Sequence, residues 1–166
     1  MRTIVIRLAG TPQGKGRART RIVQPRGGRE AFATIFTPTK TRRFEKALTD
    51  AAVLAMGGQR RQLKGPLQID VVVVMPIPKS WPKRTQEMAR VGLIRPTSRP
   101  DWDNFAKVCD ALNEIVWRDD AEIVDGKVTK WYGAHDQVGI EITARELDDA
   151  DLRRLAGLPV QLSLVS

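Results

Sequence analysis

The chain has 166 residues, 42% hydrophobic and 28% charged, with a net charge of +9 and a pI near 10.3. That is the profile of one globular domain long enough to build a core. A single cysteine, Cys109, rules out an intramolecular disulfide and a cysteine-rich zinc site, while a single histidine, His135, rules out a two-histidine metal site and leaves little room for Ser-His-Asp chemistry.

In chain order, Thr3–Leu8 alternates apolar and polar residues and predicts a strand. The next stretch, about residues 10–30, is rich in Gly, Pro and Arg and reads as a basic flexible arm. It lacks the spacing of a phosphate-binding P-loop. Lys15 opens the basic run, and Arg17, Arg19 and Arg21 recur at period two, which on an extended segment puts three guanidiniums on one face. That face suits a phosphate backbone; the plainer reading is a mobile surface loop. Arg19–Val23 and Ala31–Phe36 are expected to pair as a hairpin around Gly27 and Gly28.

A helix is expected from Thr39 or Thr41, either of which can cap it, to about Met56, where Gly57 and Gly58 stop it. Leu67–Met75 is β-branched and reads as a central buried strand. Its apolar run Val71–Met75 is far shorter than the roughly 20 residues of a membrane helix. Pro82 suits the first turn of a short helix carrying Lys83 and Arg84, two more candidates for contact with DNA. Residues 93–100 form a loop, Asp101–Val116 a helix, and Val124–Tyr132 and Val138–Arg145 two strands joined by a turn near His135. Asp148–Ala156 is a short helix opening a C-terminal extension, residues 148–166, that shows no function of its own. Strands interleaved with helices predict one compact α/β or α+β domain, residues 1–166, with a mixed sheet of four to five strands and two to four helices. Met1–Arg7 shows no signal-peptide pattern, so a reducing cytoplasm and no membrane partner are expected.

Charge is divided unevenly along this chain. Residues 1–100 hold 21 basic and 5 acidic side chains, a net of +16, and residues 101–166 hold 7 and 14, a net of −7. Arginine dominates the basic set, and its planar fork is the better phosphate partner. A basic half beside an acidic half points to a polyanion, nucleic acid, held by one region and an acidic cluster of separate purpose in the other.

That cluster is Asp101-Trp102-Asp103-Asn104-Phe105-Ala106-Lys107-Val108-Cys109-Asp110, followed by Asp119 and Asp120. On a helix of 100° per residue, Phe105, Val108, Cys109, Leu112, Ile115 and Val116 cover an apolar face, with Asp103, Lys107, Asp110 and Glu114 opposite. Asp101 would point to the apolar side if helical, so it belongs at or before the N-cap, where it can converge with Asp103. Converging carboxylates repel unless a proton or cation lies between them, and hard oxygen donors favour Mg²⁺ over zinc. Lys107, one turn on, can bring positive charge to a phosphate, and Asp119-Asp120 can return a third carboxylate. Carboxylates, Mg²⁺ and a lysine in a basic protein suit phosphodiester cleavage. Each piece also has a plain structural reading: a helix cap, an i,i+4 surface pair, a turn. Cys109 and the tryptophans read as core or interface. From composition and spacing alone the nuclease reading stays open.

Arg99-Pro100-Asp101-x-Asp103-Asn104-x-x-Lys107-x-x-x-Asp110-Ala111-Leu112-Asn113, followed by Val116-Trp117-x-Asp119-Asp120, resembles the signature of the RusA family of Holliday junction resolvases, common in bacteria and their prophages. Gly14–Arg19, Thr37–Thr41 and Pro76–Pro82 extend the likeness upstream; residues 148–166 have no counterpart. The resemblance implies a homodimeric, Mg²⁺-dependent endonuclease, with Mn²⁺ able to substitute, that nicks a four-way junction at symmetric positions in recombination and repair. It implies Asp101, Asp103 and Asp120 as metal-binding catalytic carboxylates, Lys107 as the catalytic lysine, and Asp110 as a structural tie. The alternatives are a structural DNA-binding protein with a degenerate site and a D-x-D glycosyltransferase, against which the short chain and helical context argue. The strand Leu67–Met75 and the tail are candidates for the dimer surface.

Overall fold

In a computed structural model, residues 1–24, 30–58 and 61–157 are described. A four-stranded mixed sheet forms the frame, built from β1 (Thr3–Ala9), β4 (Leu67–Pro76), β5 (Ile123–Gly133) and β6 (Gly139–Glu146) in the order β1-β6-β4-β5. β6 runs antiparallel to both β1 and β4, whereas β4 and β5 are parallel. β5 and β6 are consecutive in the chain, joined through a short 3₁₀ turn at His135–Gln137, yet they flank β4 rather than pairing with each other. A second, two-stranded antiparallel sheet joins β2 (Arg19–Val23) to β3 (Phe32–Phe36). The expected α+β domain with a mixed sheet of four to five strands is therefore what the chain forms. The hairpin strands also fall where expected, although the glycines at its turn lie outside the described residues.

Alternation along the strands builds the core. Ile4 and Ile6 of β1, Leu67, Ile69, Val71 and Val73 of β4, and Ile140, Ile142 and Ala144 of β6 are all buried. They meet Leu48 and Ala52 of helix α1 (Thr39–Ala55) and the buried Phe105, Val108 and Leu112. Each buried Val, Leu, Ile or Phe among them contributes about 1.5–3 kcal/mol by leaving water. β4 is central, as expected, but both of its edges are already hydrogen-bonded to neighbours. It therefore has no free edge to offer a second subunit, and its candidacy as a dimer surface falls.

Several elements correct the sequence reading. Neither threonine caps α1: its N-cap is Pro38, and no side chain caps it. Thr41 is buried one turn in, and its hydroxyl accepts the Gly16 N–H at 3.3 Å. Pro82 is the N-cap of α2 (Lys83–Arg90) rather than a first-turn residue. Part of the basic arm is strand β2, not loop. The expected helix Asp101–Val116 is two pieces, α3 (Trp102–Ala106) and a 3₁₀ turn over Lys107–Leu112. Beyond it, Glu114 takes a left-handed conformation with φ 64°, and Asn113 bridges to Trp117. The break follows from packing. At three residues per turn, Cys109 and Leu112 align on one edge and both reach the core. The chain then reverses so that Val116 and Trp117 are buried as well, with the Trp117 indole N–H donating to the Asn113 side-chain oxygen at 2.7 Å.

The C-terminal extension begins with α4 (Asp149–Leu155), capped by the Asp148 carboxylate, which accepts the Asp151 N–H at 2.9 Å. Asp151 is buried and receives Arg145 of β6 at 2.7 Å and Arg154 at 3.1 Å, so the helix is tied to the sheet by a paired charge. Residues 158–166 of the expected extension lie outside the described residues. Among the described residues no helix is long and apolar enough to cross a membrane.

Candidate active site

Pro100 and Asp101 lead into α3. Asp101 is its N-cap in an extended conformation, φ −69° and ψ 159°, as the cost of burying a carboxylate predicts. Its side chain makes no capping bond, so the carboxylate is left to the adjoining cleft. Asp103 lies in the first turn of α3, and Lys107 sits where α3 passes into the 3₁₀ turn. The Lys107 ammonium donates to Asp103 Oδ2 at 2.8 Å. This bond is the main reason the Asp103 carboxyl is held below its ordinary range, although its side chain is 53% exposed.

Asp101, Asp103 and Lys107 line a cleft of about 250 Å³ together with Asn104, Lys15, Gly16 and Arg17. The arm that carries Lys15 and Arg17 is pinned against α3. The Lys15 N–H donates to the Asn104 carbonyl at 2.8 Å. At Gly14 a Cβ would stand 2.7 Å from Pro100 Cβ and 2.9 Å from Asn104 Cβ, so only glycine permits this approach. At Gly16 a Cβ would meet Thr41 Oγ1 at 2.7 Å. The Lys15 ammonium is bonded to Asp110 at 2.7 Å, with Glu45 at 4.0 Å. Asp110 thus ties the arm to the 3₁₀ turn. The single helical face drawn through Asp103, Lys107, Asp110 and Glu114 survives only in its first pair.

Asp120 opens the 3₁₀ turn Asp120–Glu122. The neighbouring Asp119 is its cap, with a carboxylate that accepts the Ala121 N–H at 2.8 Å. Of the two adjacent aspartates, one is spent on the backbone and the other is not. Asp120 lines a second hollow, about 290 Å³, with Lys107, Asp110, Lys127 and Trp102. Lys107 is common to both hollows. Among the described residues, no three side chains of His, Cys, Asp or Glu stand close enough to share a metal ion. The structure therefore brings together Asp101, Asp103 and Lys107 and places Asp120 in the adjoining hollow, without assembling a three-carboxylate cage. The pair Asp101 and Asp103 still suits Mg²⁺, which is ordinarily held through one or two carboxylates with water and substrate phosphate completing its shell.

The remaining candidates are spread around this centre. Arg19 and Arg21 stand on β2, and Lys83 and Arg84 on exposed α2, outside both hollows. Trp102 is not core: it is 54% exposed and walls the second hollow, its indole N–H fixed by the Val128 carbonyl at 3.1 Å. Cys109 is buried as expected, and its thiol is pushed up to about 12 by that burial and then by the charges of Asp110 and Asp120. Sequence reasoning missed Lys127, which reaches the site only because β5 lies beside β4, and no local pattern marks it. Asn104 belongs to the signature, but that its backbone carbonyl holds the arm is decided by the tertiary structure.

The protein class defined by this fold and cleft agrees with comparison to known proteins. The family model described as Endodeoxyribonuclease RusA matches residues 9–143, most of the chain, and the chain belongs to that family. Membership carries endodeoxyribonuclease action on Holliday junction DNA as the general class of activity. Among relatives, the chain is 37% identical over 142 residues to a Bacillus subtilis (strain 168) protein named Uncharacterized protein YqaN, covering 83% of this chain and 92% of that one.

Proposed function

We propose that this chain is a Mg²⁺-dependent resolvase that acts as a homodimer, nicking a four-way DNA junction at two symmetry-related positions during recombination and repair in the bacterial cytoplasm. The observation that carries the reading is the meeting of Asp101, Asp103 and Lys107 in one cleft walled by Lys15 and Arg17. In this reading Asp101 and Asp103 hold the divalent cation, and Mn²⁺ serves in its place because it also accepts hard oxygen donors. The chemistry such a cation supplies is activation of water and neutralisation of charge on the phosphate.

Lys107 places a second positive charge at the same phosphate, and Asp103 orients that ammonium through their hydrogen bond. Asp120 is the third carboxylate and approaches from the hollow that Lys107 also lines. Arg17, Arg19 and Arg21 grip phosphates beyond the cleft, with Lys83 and Arg84 on the outer helix. A two-fold dimer would present two identical sites to a nearly two-fold substrate.

The experiment is incubation of a labelled four-way junction with the protein and Mg²⁺ or Mn²⁺. Paired nicks, lost in Asp103→Asn while junction binding survives, are the expected result. Shifted bands without nicked product would replace the enzyme by a structural DNA-binding protein with a degenerate site. Full cleavage by Asp103→Asn would remove this centre from the chemistry.

A further inference from the structure

The hairpin β2–β3 has two different faces. Directly opposed residues of an antiparallel pair point to the same side, and the register pairs Arg19 with Phe36, Arg21 with Thr34, and Val23 with Phe32. These six share one face. Thr20 with Ile35 and Ile22 with Ala33 share the other. The first face mixes two guanidiniums and a hydroxyl with two aromatic rings; the second is almost wholly aliphatic. Both are open to solvent: Phe32 is 51% exposed, Phe36 44%, Ile22 69% and Ile35 76%.

An isolated two-stranded ribbon is at best marginally stable in water, and exposed apolar residues gathered on one element mark a contact surface. Among the described residues, Arg17, Arg19 and Arg21 make no ion pair, so their charges are unspent. The ribbon also has a fixed origin. It starts three residues after Gly16, whose N–H is held by Thr41, and the segment Lys15–Arg17 lines the cleft with Asp101 and Asp103. Alternate residues on a strand are about 7 Å apart, so Arg19 and Arg21 continue, along the same segment, a line of positive charge that starts in the cleft.

We propose that the Arg19, Arg21, Phe32, Thr34 and Phe36 face of this ribbon docks on a duplex arm of the DNA next to the cleft. This rests on the nuclease reading above and deepens it. Two-stranded ribbons fit the major groove, where arginines reach phosphates or base edges and aromatic rings pack on sugars and methyl groups. Charge complementarity commits the face to DNA: Arg19 and Arg21 carry on the basic line of Lys15 and Arg17 beside the cleft, and such a line of positive charge suits a phosphate backbone. The aliphatic Ile22–Ile35 face carries no charge for DNA and is not part of the contact.

The test is junction and linear-duplex binding by fluorescence anisotropy, without divalent cation, across a salt series, on the full chain and on variants whose melting matches it. Arg19→Ala/Arg21→Ala is expected to bind about tenfold or more weakly, with the slope of log K against log salt shallower by about 2, one unit per lost phosphate contact. Phe36→Ala is expected to weaken binding with the slope unchanged, and Ile22→Thr/Ile35→Thr to bind as the parent does. Parent affinity and slope in the arginine double variant would overturn the docking face. So would loss of binding together with loss of dimer in Ile22→Thr/Ile35→Thr, which would assign the ribbon to a second copy. A parent protein that binds and shows this pattern but never cuts would sink the nuclease reading and leave the docking face standing. One that binds no DNA would sink both.

Discussion

Lys107 donates to Asp103 at 2.8 Å from one turn away, and that bond holds the Asp103 carboxyl below its ordinary range. A depressed carboxyl pKa means the group keeps its charge to lower pH than an ordinary aspartate does. The native pairing therefore persists at neutral and mildly acidic pH and is lost as pH falls through the lowered pKa. Following the Asp103 side-chain carboxyl by NMR titration should give a midpoint below 3.8 in the parent, rising towards the ordinary value in Lys107→Met. An identical midpoint in both would mean the bond does not form in solution.

Asp119 and Asp120 are neighbours with opposite uses, and substitution should separate them. Asp119→Ala removes the cap of the 3₁₀ turn, which should cost about 0.5–2 kcal/mol in urea unfolding and lower cleavage only as far as the turn loosens. Asp120→Asn leaves the Asp119 cap of the turn in place, so its melting should match the parent while nicking falls by orders of magnitude. Equal loss of stability in the two variants, with cleavage retained in Asp120→Asn, would reverse the assignment.

Gly14 packs the arm directly against Pro100 and Asn104 at the start of α3. Gly14→Ala sets a methyl group 2.7 Å from Pro100 Cβ and 2.9 Å from Asn104 Cβ, neither of which is the far end of a flexible chain. The arm must shift, at a cost of about 1–3 kcal/mol. The Lys15 N–H bond to Asn104 should weaken with it, moving Lys15 and Arg17 out of the cleft. The expected outcome is a lower melting temperature and a rise in the protein concentration needed for junction cleavage. Unchanged values of both would show that the arm is not seated on α3.

Cys109 reports on the integrity of the same region. Its thiol, pushed up to about 12 by burial, stays protonated in the native state at pH 8, whereas an unfolded thiol ionises near its ordinary value of 9.0. A thiol-specific disulfide reagent should leave the native protein untouched at pH 8 and react fully once urea unfolds it. Because the native thiol resists ionisation, the unfolded state releases its proton first, and this group lowers stability as pH rises above about 9. Rapid native-state labelling would show that the 3₁₀ turn opens locally.

Much of this molecule was legible locally. Alternation marked β1, the valine run marked β4, and the D-x-D-N-x-x-K spacing placed Asp101 at an N-cap with Lys107 one turn beyond Asp103, because these features depend on residues within a turn or two of each other. The helix over Asp101–Val116 misled for the opposite reason. Its apolar spacing fits a 3.6-residue period, but the core that receives Cys109, Leu112, Val116 and Trp117 demanded a tighter turn and a reversal at Glu114. Thr41 gave up a cap to hold Gly16, a partner twenty-five residues away.

What the amino-acid order determined by itself was the set of elements, the division of charge and the family signature, all of them short-range or additive properties. Only the tertiary structure decided that β4 has no free edge, that Lys15 is spent on Asp110, that Asp120 stands in a hollow beside Asp101 and Asp103 rather than with them, and that the hairpin has one basic-aromatic face. Those facts depend on strand order, register and the packing of distant segments, where a single contact is chosen among many that local pattern permits equally.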